Sequence, residues 1–96
     1  MVRIVKMTFR EDAIKEFKAT FERSKPHILQ FDGCKDVRLL QDKKNPCIMM
    51  TYSIWGNEEQ LNAYRKSDFF RITWSHTKTL FDGKPEAWSL DERLID

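Results

Sequence analysis

The stretch "PCIMMTYSIW" (residues 46–55) decides the fold. Its side chains alternate between the two faces of a predicted β-strand. One face is apolar throughout, through Ile48, Met50, Tyr52 and Ile54. The other face is largely apolar as well, through Cys47, Met49 and Trp55. A sheet with helices on one side only normally carries polar residues on its other side. The simplest cover for that second side is another copy of the chain, packed sheet against sheet in a symmetric homodimer.

The segments around this strand supply the remaining elements. Residues 2–9 alternate like a first strand, and residues 10–31 carry apolar residues at helical spacing. Pro26 predicts a kink or a restart of that helix, because it lacks the backbone N–H. Residues 34–42 are predicted to form a strand that pairs with residues 46–55 in a hairpin. Asn57 is expected to cap the next helix. Ser67 is expected to cap a further helical segment that runs to about Phe81. Residues 87–90 are predicted to form the last strand.

The order strand, helix, strand, strand, helix, strand predicts an α+β fold. This ferredoxin-like βαββαβ arrangement is a four-stranded antiparallel sheet with both helices on one face. With the sheet-to-sheet homodimer it becomes a dimeric α+β barrel. A length of 96 residues with 41% hydrophobic residues suits one domain, residues 1–96, with a single core.

Composition and charge argue against several classes of protein. Seventeen basic and fifteen acidic residues alternate along the chain and leave a net charge of +2, so nucleic acid is not an expected partner. No segment has the roughly 20 apolar residues of a membrane helix, and the N-terminus lacks the features of a secretion signal. We therefore expect a cytoplasmic protein that does not bind membranes. Cys34 and Cys47 lie at opposite ends of the predicted hairpin, which predicts two free thiols, and no metal-ligand spacing occurs.

The stretch "YRKSDFFRITWSHTKTLF" (residues 64–81) is the candidate wall of a binding site. Apolar residues cover an arc of roughly 200° on this predicted helix, wider than the stripe that an ordinary surface helix buries. His76 and Trp74 lie at the two edges of the arc. The extra width can pack against the first helix and a partner subunit, it can line an apolar pocket, and both can hold at once. The polar tips of such a pocket would come from Tyr52, Trp55, Tyr64, Trp74 and His76.

The whole pattern resembles a known family. The shared features are "FxxxF" in the first helix, "FDGC" leading to "VRLLQD", and "TYSIWGNEEQLNAYRKSDFF" running from strand through Trp55 into helix. Together they resemble the antibiotic biosynthesis monooxygenase (ABM) domain family of dimeric α+β barrels. The resemblance implies oxidation of a quinol, phenol or similar electron-rich aromatic by O2 without metal or flavin.

The expected site residues follow from the helical arc together with this resemblance. His76 is the expected proton acceptor, and the resemblance adds Trp55 as a second catalytic residue. An apolar aromatic substrate would contact Tyr52, Tyr64, Arg65, Phe70 and Trp74, with Arg65 as a cation for the phenolate. No cofactor and no metal are expected. Two departures from the family pattern bear on this site: Thr51 replaces an asparagine of the polyketide-oxidising branch, and Trp74 replaces the iron-ligating histidine of the haem-degrading branch.

Two alternatives remain at this level. The chain can be a non-catalytic dimer that binds an apolar small molecule or serves in a stress response, or an isomerase or lyase on the same scaffold, because fold does not fix function.

Overall fold

The computed structural model describes residues 1–95. The strands and helices in chain order are β1 (Val2–Thr8), α1 (Ile14–Ile28), β2 (Cys34–Gln41), β3 (Ile48–Trp55), α2 (Glu58–Arg65), α3 (Asp68–Lys78) and β4 (Glu86–Leu90). A short 3₁₀ turn, Glu11–Ala13, precedes α1. The predicted order is confirmed, with the second helical region divided into α2 and α3.

The four strands form one antiparallel sheet in the order β2-β3-β1-β4. This is the ferredoxin-like arrangement expected from the sequence. In the hairpin Cys34 lies opposite Trp55, and Cys34 and Cys47 are both free thiols. The first and third strands pair in the centre with Val2 opposite Ile54.

Local side-chain chemistry explains where the helices begin and end. The Asn57 side chain accepts a hydrogen bond from the backbone N–H of Gln60 at 2.9 Å, and Ser67 Oγ accepts one from Phe70 at 3.1 Å. Both residues are therefore the helix caps that the sequence predicts. At Pro26 the helix α1 continues, so the restart, one of the two expected outcomes, does not occur. Pro26 stands two residues before the helix ends, so the backbone bond that it cannot make falls in the last turn.

The core lies between the sheet and the helices. Met49 and Trp55 of β3 are 0% and 1% exposed, and Met7 of β1 shares their face of the sheet. Phe9 stacks on Phe17 of α1 with ring centroids 4.3 Å apart. The alternation of β3 thus directs its odd-numbered residues to the helices, as expected for a half-covered sheet.

The opposite face of the sheet meets no other element of the chain within residues 1–95. Its apolar members lie on all four strands: Val2, Ile4, Leu40, Ile48, Met50, Tyr52, Ile54, Trp88 and Leu90. Trp88 is 41% exposed. We call this surface the outer face. Within the described part of the chain, no helix has the length and apolar character needed to span a bilayer.

Candidate functional site

A cavity of about 370 Å³ lies between the inner face of the sheet and the helices α2 and α3. Strands β1 and β3 form its floor, and the start of β4 forms one side. Its aromatic wall consists of Trp55, Tyr64, Phe70 and Trp74. The volume falls in the range of small-molecule sites, and such sites are mostly apolar with a few polar groups.

The aromatic wall is a continuous row of rings. Tyr64 stacks on Trp55 with centroids 5.1 Å apart and meets Phe70 edge-on at 5.1 Å. Phe70 in turn stacks on Trp74 at 5.9 Å with the planes 11° apart. Tyr64 ends α2, while Phe70 and Trp74 lie one turn apart on α3, so the break between the two helices is what brings these rings together. The row fixes flat apolar surfaces that suit an aromatic ligand.

Trp55 and Tyr64, at one end of the row, differ in how their polar groups are hydrogen-bonded. Trp55 Nε1 donates to Ser53 Oγ at 3.0 Å, so this indole is fully engaged inside the protein. Burial raises the pKa of the Tyr64 phenol, and the neighbouring Cys34 thiol raises it further. Tyr64 therefore stays a neutral phenol at neutral pH and can donate a hydrogen bond to an oxyanion.

Two guanidinium groups line the same cavity, Arg3 from β1 and Arg65 from the end of α2. Arg3 Nη1 donates to Ser89 Oγ at 3.0 Å. Burial lowers the pKa of Arg3, the positive charge of Arg65 lowers it further, and Glu58 raises it. A guanidinium carries its positive charge in proteins at neutral pH, so the cavity wall holds two cations.

The structure brings together five of the seven residues that the sequence predicts for the site. These are Trp55, Tyr64, Arg65, Phe70 and Trp74. Thr51, which departs from the family pattern, lines the cavity as well.

Tyr52 and His76 do not line the cavity, which corrects the expectation that all seven converge. Tyr52 is an even-numbered residue of β3 and therefore lies on the outer face, opposite Arg38 of β2. His76 is exposed, and its Nε2 lies 2.9 Å from a carboxylate oxygen of Glu16 on α1. Ile72, one turn earlier on the same edge of α3, is 72% exposed. The Trp74 edge of the wide apolar arc thus faces the cavity, and the His76 edge faces solvent.

Arg3 is the residue that the sequence analysis missed. It shares a strand face with Val5 and Met7, and both of these line the cavity. A charged residue on the apolar face of a strand was a visible signal of a site, since buried charges need a partner. Ser53 carried a weaker signal, as a small polar residue on the inner face beside Trp55.

The described residues contain no group of three or more histidine, cysteine, aspartate or glutamate side chains placed to hold a metal ion. The polar side chains that a ligand in the cavity would meet come from arginine, tyrosine, threonine and serine residues. The Glu86 side chain lies on the outer face instead, opposite Lys6.

Comparison with known proteins decides the family. The sequence model of the family described as antibiotic biosynthesis monooxygenase matches residues 1–73, about three quarters of the chain. The chain belongs to this family. None of the curated proteins compared with it matches.

Solved structures show the same ABM fold. A conserved protein from Methanosarcina mazei Go1 is 24% identical, with a TM-score of 0.84 over 90% of this chain and 86% of that one. An antibiotic biosynthesis monooxygenase is 14% identical, with a TM-score of 0.88 over 98% and 100%. The protein Rv0793 from Mycobacterium tuberculosis is 17% identical, with a TM-score of 0.83 over 95% of each chain. At these identities the likeness extends to the fold alone.

Proposed function

We propose that this ABM protein binds a phenolic or quinol-like aromatic in the cavity and oxidises it with O2, without a metal or flavin. One observation carries the proposal: a row of four aromatic rings and two guanidinium groups line the same cavity of about 370 Å³. The rings suit a flat substrate, and the cations suit the phenolate that must form before the ring gives up electrons. Family membership supports the reaction class.

The chain's own residues would act on the proton and the charge of the substrate. A bound phenol loses its proton to water at the side of the cavity near Glu86, where the lining residues are exposed. Arg65 and Arg3 lower the substrate's pKa by stabilising the phenolate, and the neutral Tyr64 hydroxyl donates a hydrogen bond to it. Trp55, with its N–H engaged by Ser53, contributes the flat surface of its ring. This assigns the proton step to electrostatics, since His76 lies outside the cavity.

The proposed reaction balances for a simple probe, 1-naphthol. One O2 and one 1-naphthol give one 1,4-naphthoquinone and one water. The C–H bond para to the hydroxyl and the O–O bond break, and a C–O bond forms at the para carbon. The substrate gives up four electrons, which reduce O2. One oxygen atom stays in the quinone, and the other leaves as water with the two released protons.

The test is oxidation of 1-naphthol under ¹⁸O2, followed by mass spectrometry of the quinone. We expect one labelled oxygen per quinone, formed faster than in the protein-free control. Phe70→Ala removes part of the aromatic wall and should slow the reaction. Phe69→Ala is the matched control, because this neighbour packs against His27 and Phe31 instead. Equal rates with and without protein, or equal loss in both variants, would refute the proposal.

A second candidate function is ligand binding without turnover. It is favoured by the same geometry, because among residues 1–95 the cavity lining contains no histidine, aspartate or cysteine to take a proton. The one glutamate of the lining, Glu86, directs its side chain to the outer face, where its carboxylate lies 4.0 Å from Lys6. Under this alternative 1-naphthol binds in the cavity, and the binding weakens in Phe70→Ala, but no labelled quinone forms.

We also propose that two chains pair through their outer faces. The apolar residues on all four strands of this face support the pairing, because a lone chain would leave them in water.

Free thiols at Cys34 and Cys47 are typical of a reducing compartment, and we propose the cytoplasm as the location.

A further inference from the structure

The charges of the cavity are unbalanced. Arg10, Arg38 and Arg71 on the surface each pair with an aspartate close in sequence. Arg3 and Arg65 line the cavity, and among residues 1–95 neither has a carboxylate within 4.0 Å.

The acidic groups near the cavity leave this imbalance in place. Glu86 lines the cavity, but its carboxylate lies 4.0 Å from Lys6, its cross-strand neighbour. Glu58 acts favourably on Arg3, yet the combined effect of burial and Arg65 on that guanidinium is stronger. The cavity wall therefore carries two positive charges that repel each other and that nearby negative charge offsets only in part.

The hydrogen-bonding capacity of the two guanidiniums is also largely unused. A guanidinium has five N–H donors in a planar fork that matches a carboxylate. In the described part of the chain the Arg3 side chain makes one hydrogen bond, to Ser89, and the Arg65 side chain makes none. Arg3 is partly buried and Arg65 is exposed, and both line a cavity that has an aromatic wall. A charge-assisted bond from the partly buried Arg3 is stronger than one in water.

We propose that Arg3 and Arg65 form a binding site for a carboxylate on the ligand, so that the ligand of the cavity is an aromatic acid. The inference rests on the proposed function in one respect: the ring of the same ligand occupies the aromatic wall of Tyr64, Phe70 and Trp74. A phenolate offers a single charged oxygen, whereas a carboxylate offers two and can accept hydrogen bonds from both arginines. The acid group thus anchors the ligand beside the arginines and leaves its ring on the aromatic wall. A phenol oxygen on the same ring is then stabilised by the hydrogen bond from Tyr64 and by the nearby positive charges, without a direct contact to either arginine.

The experiment compares two probes of the same shape, 2-naphthoate and 2-naphthamide, by isothermal titration calorimetry at neutral pH and low salt. Neither probe is a phenol, so binding is measured apart from oxidation. We expect the naphthoate to bind about tenfold more tightly, as expected for a charge-assisted contact in an apolar cavity. Arg65→Gln and Arg3→Gln should each bring the two affinities together by weakening only the naphthoate. Lys66→Gln, which makes the same change of charge one residue beyond Arg65, should keep the preference.

The outcomes separate this inference from the proposed function. Equal affinity of the two probes, or a preference that survives both arginine variants, overturns the carboxylate site alone. If neither probe binds, both the carboxylate site and the proposal of an aromatic ligand are overturned. The protein can also prefer naphthoate through the arginines and yet fail to oxidise 1-naphthol. That result supports the carboxylate site and refutes the proposed oxidation. Arg65 is an exposed residue at the end of α2, so its variant remains informative even if Arg3→Gln does not fold.

Discussion

The phenol ring of Tyr64 lies against the indole of Trp55, with centroids 5.1 Å apart and planes 29° from parallel. This contact joins the end of α2 to the end of β3 and begins the row of rings that forms the aromatic wall. Since the indole N–H is bonded to Ser53, the chemistry available at this end of the cavity belongs to the tyrosine hydroxyl and the arginines. Substitutions at these positions separate packing from that chemistry.

Tyr64→Phe keeps the ring stack and removes the hydroxyl. We expect 1-naphthol oxidation to fall several-fold, because an oxyanion loses one hydrogen bond, while the circular dichroism spectrum stays unchanged. Tyr64→Ala removes the ring as well and should lower the free energy of unfolding by about 3 kcal/mol in urea. A Tyr64→Phe variant with unchanged turnover would remove the hydroxyl from the mechanism.

The same residue predicts how stability depends on pH. Burial raises the pKa of Tyr64 in the folded state above the unfolded value of about 10. The unfolded chain then releases this proton first, so the stability is present below pH 10 and is lost as the pH rises further. Cys34, whose pKa burial also raises, adds a loss in the same direction that starts above about pH 8.5. Urea titrations from pH 8 to 11 should show a shallower decline for Tyr64→Phe than for the parent protein. Equal slopes would contradict the burial of the phenol.

Ser53→Ala tests the bond that fixes the Trp55 indole. The variant leaves the buried N–H without its partner, which costs about 1–3 kcal/mol of unfolding free energy. A loss below about 0.5 kcal/mol in urea unfolding would mean that the indole finds another acceptor.

His76→Gln tests whether the exposed histidine has a part in turnover. Because His76 pairs with Glu16 outside the cavity, we expect turnover of 1-naphthol to stay within about twofold of the parent. The pair should contribute no more than about 1 kcal/mol to stability, as exposed ion pairs do. Trp74→Ala, two residues earlier on α3, provides the contrast and should weaken 1-naphthol binding. A large loss of turnover in His76→Gln would restore the histidine to the mechanism.

Trp88→Glu tests the outer face. A charge placed inside an apolar interface should dissociate the proposed dimer, and light scattering at micromolar concentration should then give the mass of one chain. Ile72→Glu is the control, because this residue is exposed on α3, away from the sheet. A single-chain mass for the parent protein would contradict the pairing of two outer faces.

Much of the fold could be predicted because local chemistry and burial agree. The apolar alternation of residues 48–55 specifies a strand with two distinct faces, and Asn57 and Ser67 are the caps that their side chains favour. The same alternation carried information about the site that went unused. Tyr52 and Trp55 are three residues apart on one strand, so they must lie on opposite faces.

The orientation of α3 could not be predicted with the same certainty. An apolar arc of roughly 200° exceeds what one contact surface needs, so periodicity alone does not say which edge turns to the sheet. Only the packing of Phe69 against α1 and of Trp74 toward the cavity settles that Ile72 and His76 face solvent. Arg3 was missed for a related reason, since its place beside the cavity depends on the end of α2, which is distant in sequence.

The measurement that tests the central claim most directly is a crystal structure of the protein with 1-naphthol bound. We predict one naphthol between the sheet and α3, its ring against Phe70 and Trp74 and its oxygen toward Arg65. Naphthol bound only on the outer face, with the cavity unoccupied, would contradict the account.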